Sequence, residues 1–179
     1  MEASGCDRPG RSVTLDLGAV LTRARAADAA ASRDVRVLPP AGFVFHESRV
    51  GSTLAANVLA AVDPAGHRVC SEAHPVNAAL RACDGAAACG LDASAALLRD
   101  VVYLLGRTAD PEERRVFFKV SSIGAKNIDV MQRAFPAVPW IFVYRDPGER
   151  RDFSRGAERA RRVVRCAAPR RSPRPQCKP

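Results

Sequence analysis

The sequence predicts an α/β fold, a three-layer sandwich built on a short parallel sheet. Four short runs of apolar, β-prone residues alternate along the chain with longer stretches of helical periodicity. They are apolar runs and not alternations of apolar and polar residues, which is typical of strands covered by helices on both faces. With 179 residues, 47% of them hydrophobic, the chain has enough apolar surface for one domain core.

Composition divides the chain into three parts. Residues 1–38 are an N-terminal extension, polar at first and then weakly helical around 18–32. Pro39 and Pro40 end this part, and residues 39–149 contain the apolar runs. Residues 150–179 are rich in arginine and proline and cannot pack a core, so we expect a disordered tail there.

The elements of the central part follow in a regular order. We expect strands at 43–45, 67–71, 115–121 and 139–145, and helices at 53–62, 75–83, 92–106 and 123–135. In the first of these helices an apolar stripe shares one face, which is the pattern of an amphipathic helix. Its members are Leu54, Val58, Leu59 and Val62.

The net charge of +9 resides in the tail. Residues 150–179 hold 11 of the 28 basic residues and only two acidic ones, so the rest of the chain is neutral. The basic composition therefore gives no reason to expect nucleic-acid binding by the folded part. One hypothesis for the chain is a non-catalytic binding module whose tail contacts RNA or acidic surfaces.

Targeting signals are not legible in the sequence. No segment approaches the ~20 consecutive apolar residues of a membrane-spanning helix. The first seven residues have neither the basic nor the apolar region of a secretory signal. We therefore expect no membrane span and a cytoplasmic location for the chain as written.

The six cysteines do not form a metal-binding pattern. Five residues separate Cys83 from Cys89, whereas zinc-binding pairs are usually about two to four apart and are followed by a second pair. The spacing would permit a small disulfide loop in an oxidising compartment. Because no signal directs the chain to one, we favour free thiols.

The turn after the first strand has the composition of an anion-binding loop. The start of a helix gathers free backbone N–H groups and the positive end of the helix dipole, which favour a phosphate or sulfate. Gly51 allows close backbone approach, Ser52 and Thr53 add hydroxyl donors, and Arg49 adds a planar cation. The alternative is an ordinary helix start, capped by Ser52 or Thr53, with Arg49 merely exposed. A kinase-type loop does not fit, because its Gly-Lys-Ser/Thr ending is missing.

Two segments resemble the nucleotide-binding motifs of the sulfotransferases. FHESRVGSTL, at residues 45–54, is similar to the family's 5′-phosphosulfate loop, in which a basic residue, a small residue, glycine and two Ser/Thr residues join a strand to a helix. WIFVYRDPGE, at residues 140–149, is similar to the family's 3′-phosphate segment, a strand that ends in Arg-Asp-Pro-x-Glu. The resemblance extends over roughly residues 40–150 and implies a P-loop-like fold.

The resemblance implies 3′-phosphoadenosine 5′-phosphosulfate as the cofactor and transfer of its sulfuryl group to a hydroxyl or amine acceptor. By position, Arg49 corresponds to the basic residue that contacts the 5′-phosphosulfate and stabilises charge during transfer. The loop that wraps this group corresponds to Val50, Gly51, Ser52 and Thr53, where Val50 replaces the serine or glycine of many members.

The same correspondence assigns the 3′-phosphate to Arg145 and a partner serine. The serine is expected at residue 153, where this chain has Phe153, so Ser154 is the candidate in its place. On a helix, one residue turns a side chain by about 100°, which weakens this half of the grip.

Glu72 is the candidate catalytic base. It follows the second predicted strand, where many sulfotransferases place an acidic or histidine base. His74 is an alternative base, and both residues could instead be exposed turn residues. Lys119 interrupts an apolar run. It either has an anionic partner, which would let it point toward the cofactor, or extends to solvent.

Sulfotransferases continue well beyond the Arg-Asp-Pro segment, into a half that supplies much of the acceptor pocket. The resemblance therefore implies an incomplete domain with an Arg/Pro-rich end. The sequence leaves open the acceptor, the activity of this chain and its oligomeric state.

Overall fold

The computed structural model describes residues 14–30, 35–84 and 89–145 of the chain. The predicted tail at 150–179 and Ser154 lie outside these residues. Within them, the helices are α1 (Leu17–Ala29), α2 (Ser52–Val62), α3 (His74–Leu80), α4 (Leu91–Gly106) and α5 (Ile128–Ala134), with a 3-10 helix at Ser122–Asn127. The strands are β1 (Arg36–Val37), β2 (Pro40–His46), β3 (His67–Ser71), β4 (Arg107–Thr108), β5 (Arg115–Lys119) and β6 (Trp140–Val143).

Four of these strands form a parallel sheet in the order β3-β5-β2-β6. β1 and β4 form a separate antiparallel pair. The predicted mixed α/β fold with a short parallel sheet is therefore confirmed. The two-residue strands β1 and β4 were not predicted, since two residues carry no periodicity.

Different helices cover the two faces of the sheet. Phe43, Phe45 and Phe118 share one face and pack with residues of α3, α4 and α5 in the main core. α2 lies against the other face, where Nδ1 of His67 is 2.7 Å from the backbone oxygen of Leu59. β2 and β5 are thus enclosed between helices, as their apolar sequences require. In the described part of the chain, three of the four residues of β6 are exposed, so the expectation of helices on both faces is wrong for this strand.

The apolar stripe of α2 is not buried. Leu54, Val58 and Val62 are 69%, 52% and 70% exposed, whereas Ser52 and Ala56 are buried. The helix contacts the sheet through its smallest side chains, which allow its backbone to approach the strands. The pattern therefore identified a shared face correctly but not the face that packs.

Several predicted boundaries shift in the structure. β2 extends the first predicted strand at both ends and includes Pro40 and His46. The helix predicted at 123–135 is divided into a 3-10 helix and α5. By contrast, the predicted strand at 67–71 is β3, and α4 begins one residue before its predicted start.

A half-buried polar contact around Asp28 joins α1 to the end of α4 and to β4. This carboxylate accepts a 2.7 Å hydrogen bond from Nη2 of Arg107 and another from the hydroxyl of Tyr103. The Arg107 guanidinium, with the Tyr103 hydroxyl second, holds the pKa of Asp28 below its ordinary value. α1 and the core residue Leu38 therefore belong to the compact unit that spans Leu17–Arg145.

Cys83 and Cys89 form a disulfide, so the prediction of free thiols is wrong for this pair. Their Cα atoms are 5.1 Å apart, within the range that a disulfide spans. The folded chain brings them together where the chain leaves α3 and enters α4. Among the described cysteines, Cys70 has a free thiol, and burial raises its pKa.

The described residues contain neither a metal-binding cluster nor a membrane-spanning helix. No cluster of three or more His, Cys, Asp and Glu side chains in residues 14–30, 35–84 and 89–145 is placed to hold a metal ion. Within the same ranges, no helix combines the length and the apolar character needed to cross a membrane.

Candidate functional site

The parallel strands bring the predicted site residues to one edge of the sheet. Arg49 follows the end of β2, Glu72 follows the end of β3, and Arg145 follows the end of β6. The carboxyl ends of parallel strands lie on the same edge, so all three residues are there. β2 and β6 are direct neighbours: His46 pairs with Val143 at their ends. The two motifs that are distant in sequence thus meet on adjacent strands.

β2 occupies the position where the connections change direction. The chain leaves β2 toward β3 on one side, and later passes from β5 to β6 on the other side of β2. In open α/β sheets such a reversal leaves a crevice at the carboxyl ends of the strands, where ligands bind. The loop after β2 therefore lies at the favoured position for a ligand.

This loop has the backbone of an anion-binding turn. Gly51 is left-handed, with φ 89° and ψ 14°, and it directly precedes α2. No described side chain caps the start of α2, so the predicted alternative of a Ser52 or Thr53 cap is wrong. The N–H of Leu54 donates to the backbone oxygen of Gly51 at 2.8 Å. The N–H groups of Ser52 and Thr53, the first two residues of α2, have no acceptors within the helix itself. They remain available to an anion.

The surroundings of the loop leave room for a ligand. A Cβ placed on Gly51 would have no described atom within 4 Å, so space is open above this residue. The side chains of Arg49 and Thr53 are exposed, while Val50 and Ser52 are buried. Val50 therefore fixes the loop to the core, and Arg49 supplies the exposed cation.

Backbone strain marks two of the predicted residues. Among the described non-glycine residues, only Arg49 (φ 62°) and Glu72 (φ 53°) have positive φ. Such conformations cost of the order of 1 kcal/mol or more and persist where the surroundings enforce them, often at functional sites. Arg49 and Glu72 are also the two residues for which the sequence predicted a catalytic role.

The backbone of Glu72 is held by hydrogen bonds on both sides. Its N–H donates to the backbone oxygen of Lys119 at 2.7 Å. Its carbonyl accepts a 3.1 Å hydrogen bond from Nδ2 of Asn77, whose Oδ1 accepts from the N–H of Ser121 at 3.0 Å. These bonds tie the ends of β3 and β5 together and keep Glu72 in its left-handed conformation.

The side chain of Glu72 pairs with a buried lysine. Lys119 is 3% exposed, and its ammonium donates to Oε1 of Glu72. The alternative in which Lys119 extends to solvent is therefore wrong, and its anionic partner is Glu72. The Glu72 side chain is 50% exposed, so the carboxylate is anchored through one oxygen and open to solvent.

His46 belongs to this cluster but was missed by the sequence interpretation. Its side chain is 7% exposed, and its Nε2 lies 3.7 Å from Oε1 of Glu72. The signal in the sequence was the alternation of side chains along a strand: if β2 continues to residue 46, His46 lies on the same sheet face as Val44. The sequence prediction ends the first strand at residue 45 and so places His46 in the turn.

Two predicted site residues remain, His74 and Ser154. His74 is the exposed first residue of α3. Ser154 lies outside the described residues.

No family model, curated protein or solved structure matches the chain. A layered α/β scaffold supports many activities, so the geometry and chemistry of the site determine which function fits.

Proposed function

We propose that the chain is a sulfotransferase-like protein with a P-loop-like fold, which binds 3′-phosphoadenosine 5′-phosphosulfate and transfers its sulfuryl group to a hydroxyl or amine. The observation that carries the proposal is the meeting of three features at one sheet edge. These are the loop at residues 49–53, the carboxylate of Glu72 and Arg145.

The residues present fit the 5′-phosphosulfate group. Three features favour an oxyanion here: the uncapped start of the 11-residue helix α2, the left-handed Gly51 with open space above it, and the exposed Arg49. Arg145, next to this loop across the β2–β6 pair, is the second cation that a nucleotide with a separate 3′-phosphate requires. The strand, loop and helix order supports the P-loop-like fold.

Each residue has a chemical task in this proposal. When bound, the cofactor supplies an activated sulfuryl group whose transfer leaves negative charge on a phosphate oxygen. The first N–H groups of α2 and the guanidinium of Arg49 stabilise that charge in a fixed arrangement. The half-exposed carboxylate of Glu72 accepts the proton of the acceptor's hydroxyl. Arg145 orients the nucleotide through its 3′-phosphate.

Isothermal titration of the full chain with adenosine 3′,5′-bisphosphate tests the cofactor site. We expect saturable binding that weakens at least about tenfold in Arg49→Ala and Arg145→Ala, since each removes a charge-assisted hydrogen bond of about 1.5–3 kcal/mol. Arg23→Ala, an exposed arginine of α1, is the matched control and should bind as wild type. Absence of binding heat at millimolar ligand would reject the proposal.

The alternative, a binding module that acts through residues 150–179, rests on composition. It predicts association with RNA that falls steeply with ionic strength and disappears when the tail is deleted. Nucleotide binding that survives the same deletion supports the sulfotransferase proposal instead.

A further inference from the structure

A buried imidazole lies beside the proposed base. Nε2 of His46 is 3.7 Å from Oε1 of Glu72 and has no hydrogen-bond partner within the described residues. Leaving a buried polar nitrogen without a partner costs free energy, so such a group in a native fold needs an explanation.

The other ring nitrogen determines the tautomer. Nδ1 of His46 lies 2.7 Å from the backbone oxygen of Glu47. A carbonyl oxygen only accepts hydrogen bonds, so Nδ1 carries the proton and donates it to this oxygen. In the neutral ring, Nε2 therefore holds a lone pair close to the carboxyl group of Glu72.

The charge of Lys119 favours transfer of a proton from Glu72 to this lone pair. Its buried ammonium and the imidazole approach the same oxygen of Glu72. A proton taken up by Glu72 would leave the ammonium facing a neutral carboxyl group, and a buried charge without its counter-charge is unfavourable. Transfer of the proton onward to His46 would restore the ion pair between Lys119 and Glu72.

We propose that His46 is a second proton-accepting group of this site, which takes from Glu72 the proton that Glu72 receives from the acceptor. The O–H bond of the acceptor breaks as one forms at Oε1 of Glu72, the oxygen beside Nε2 of His46. That second O–H bond then breaks as the proton binds the lone pair of Nε2. The step ends with a carboxylate at Glu72 and an imidazolium at His46.

The geometry requires a small movement. Nε2 and Oε1 must approach from 3.7 Å to about 2.8 Å, the distance of a charge-assisted hydrogen bond. Catalytic hydrogen bonds are often long before the substrate is bound. This inference rests on the proposed function, since it assigns the fate of a proton released by that reaction.

Nitrogen-15 NMR of the imidazole rings in the full chain tests the proposal directly. His46→Gln identifies the His46 signals among those of the three histidines. We expect Nδ1 to carry the proton of the neutral ring and Nε2 to be the unprotonated nitrogen. In Glu72→Gln the new amide can donate to Nε2, so the Nε2 resonance should shift, whereas the exposed control Glu112→Gln should leave it unchanged.

Two results would overturn the relay: an Nε2 that already carries a proton in the wild type, or an Nε2 resonance that ignores Glu72→Gln in a folded variant. If that variant does not fold, the wild-type tautomer decides alone. Titration of the same wild-type sample with adenosine 3′,5′-bisphosphate separates the two proposals. Failure to bind rejects the cofactor site whatever the tautomer, while binding with a protonated Nε2 rejects only the relay.

Discussion

Replacing Glu72 with glutamine removes the counter-charge of a buried lysine. Breaking a buried ion pair by deleting one partner costs about 3–5 kcal/mol, whereas an exposed pair contributes about 0–1 kcal/mol. The pair here is intermediate, because Lys119 is 3% exposed but the Glu72 side chain is 50% exposed. We therefore expect Glu72→Gln to lower the free energy of unfolding by about 2 kcal/mol.

Replacing the other partner of the ion pair, Lys119, should be tolerated. Lys119→Met replaces the ammonium with an apolar side chain of similar length and removes the need for a counter-charge, so we expect a change within about 1 kcal/mol. In the double variant the charge that makes Glu72→Gln costly is gone. The stability of Glu72→Gln/Lys119→Met should therefore return to near that of Lys119→Met, with a coupling energy of about 2 kcal/mol.

Urea denaturation of the four proteins measures this cycle. A loss of about 2 kcal/mol corresponds to a midpoint lower by about 1 M at the urea dependence typical of small domains. Glu112→Gln, an exposed glutamate, is the matched control and should not shift the midpoint. If Lys119→Met proves as costly as Glu72→Gln and the two losses add, the buried ion pair is not the source of the effect and the reasoning is refuted.

Three further predictions concern other parts of the fold. Because Arg107 and then Tyr103 lower the pKa of Asp28, this carboxylate stabilises the fold above its unfolded pKa and loses its contribution as the pH falls through its lower folded pKa. Asp28→Asn should be less stable than wild type at neutral pH; in pH-dependent unfolding the difference should shrink below about pH 4, the unfolded pKa, and vanish only below the pKa of the folded state. Gly51→Ala should cost about 1 kcal/mol by urea denaturation through its φ of 89° alone, since the added methyl group meets open space, and unchanged stability would exclude the left-handed turn. Reduction of the Cys83–Cys89 disulfide should lower the free energy of unfolding by about 2 kcal/mol, the value for a short closed loop; identical melting with and without reductant would contradict the bond.

Much of the secondary structure could be predicted because its signals are local. β5 and α4 are defined by apolar residues whose spacing depends only on neighbours in sequence. The buried face of α2 could not be predicted in this way. Burial depends on which face meets the sheet, and here that face carries Ser52 and Ala56 in place of the apolar stripe.

In the candidate site, too, residues of local motifs could be predicted, whereas contacts between distant segments could not. Arg49 and Gly51 are visible in the sequence because the turn between a strand and a helix is a local motif. The pairing of Lys119 with Glu72 depends on the register of β3 against β5, in which Ser71 lies opposite Lys119. The register pairs residues that are far apart in the chain, so it cannot be predicted from the periodicity within either strand. The contact of His46 with the same carboxylate required, in addition, the true end of β2.

The opposite edge of the sheet is held by a different kind of contact. Nη2 of Arg36 donates to the backbone oxygens of Asp110, Pro111 and Glu113, in the segment that leads into β5. One side chain thus organises the entry of the chain into the sheet, away from the loop at residues 49–53 and Glu72. A protein divided in this way offers separate targets for engineering: substitutions around Arg36 can tune thermal robustness, while the residues that face a ligand are left as they are.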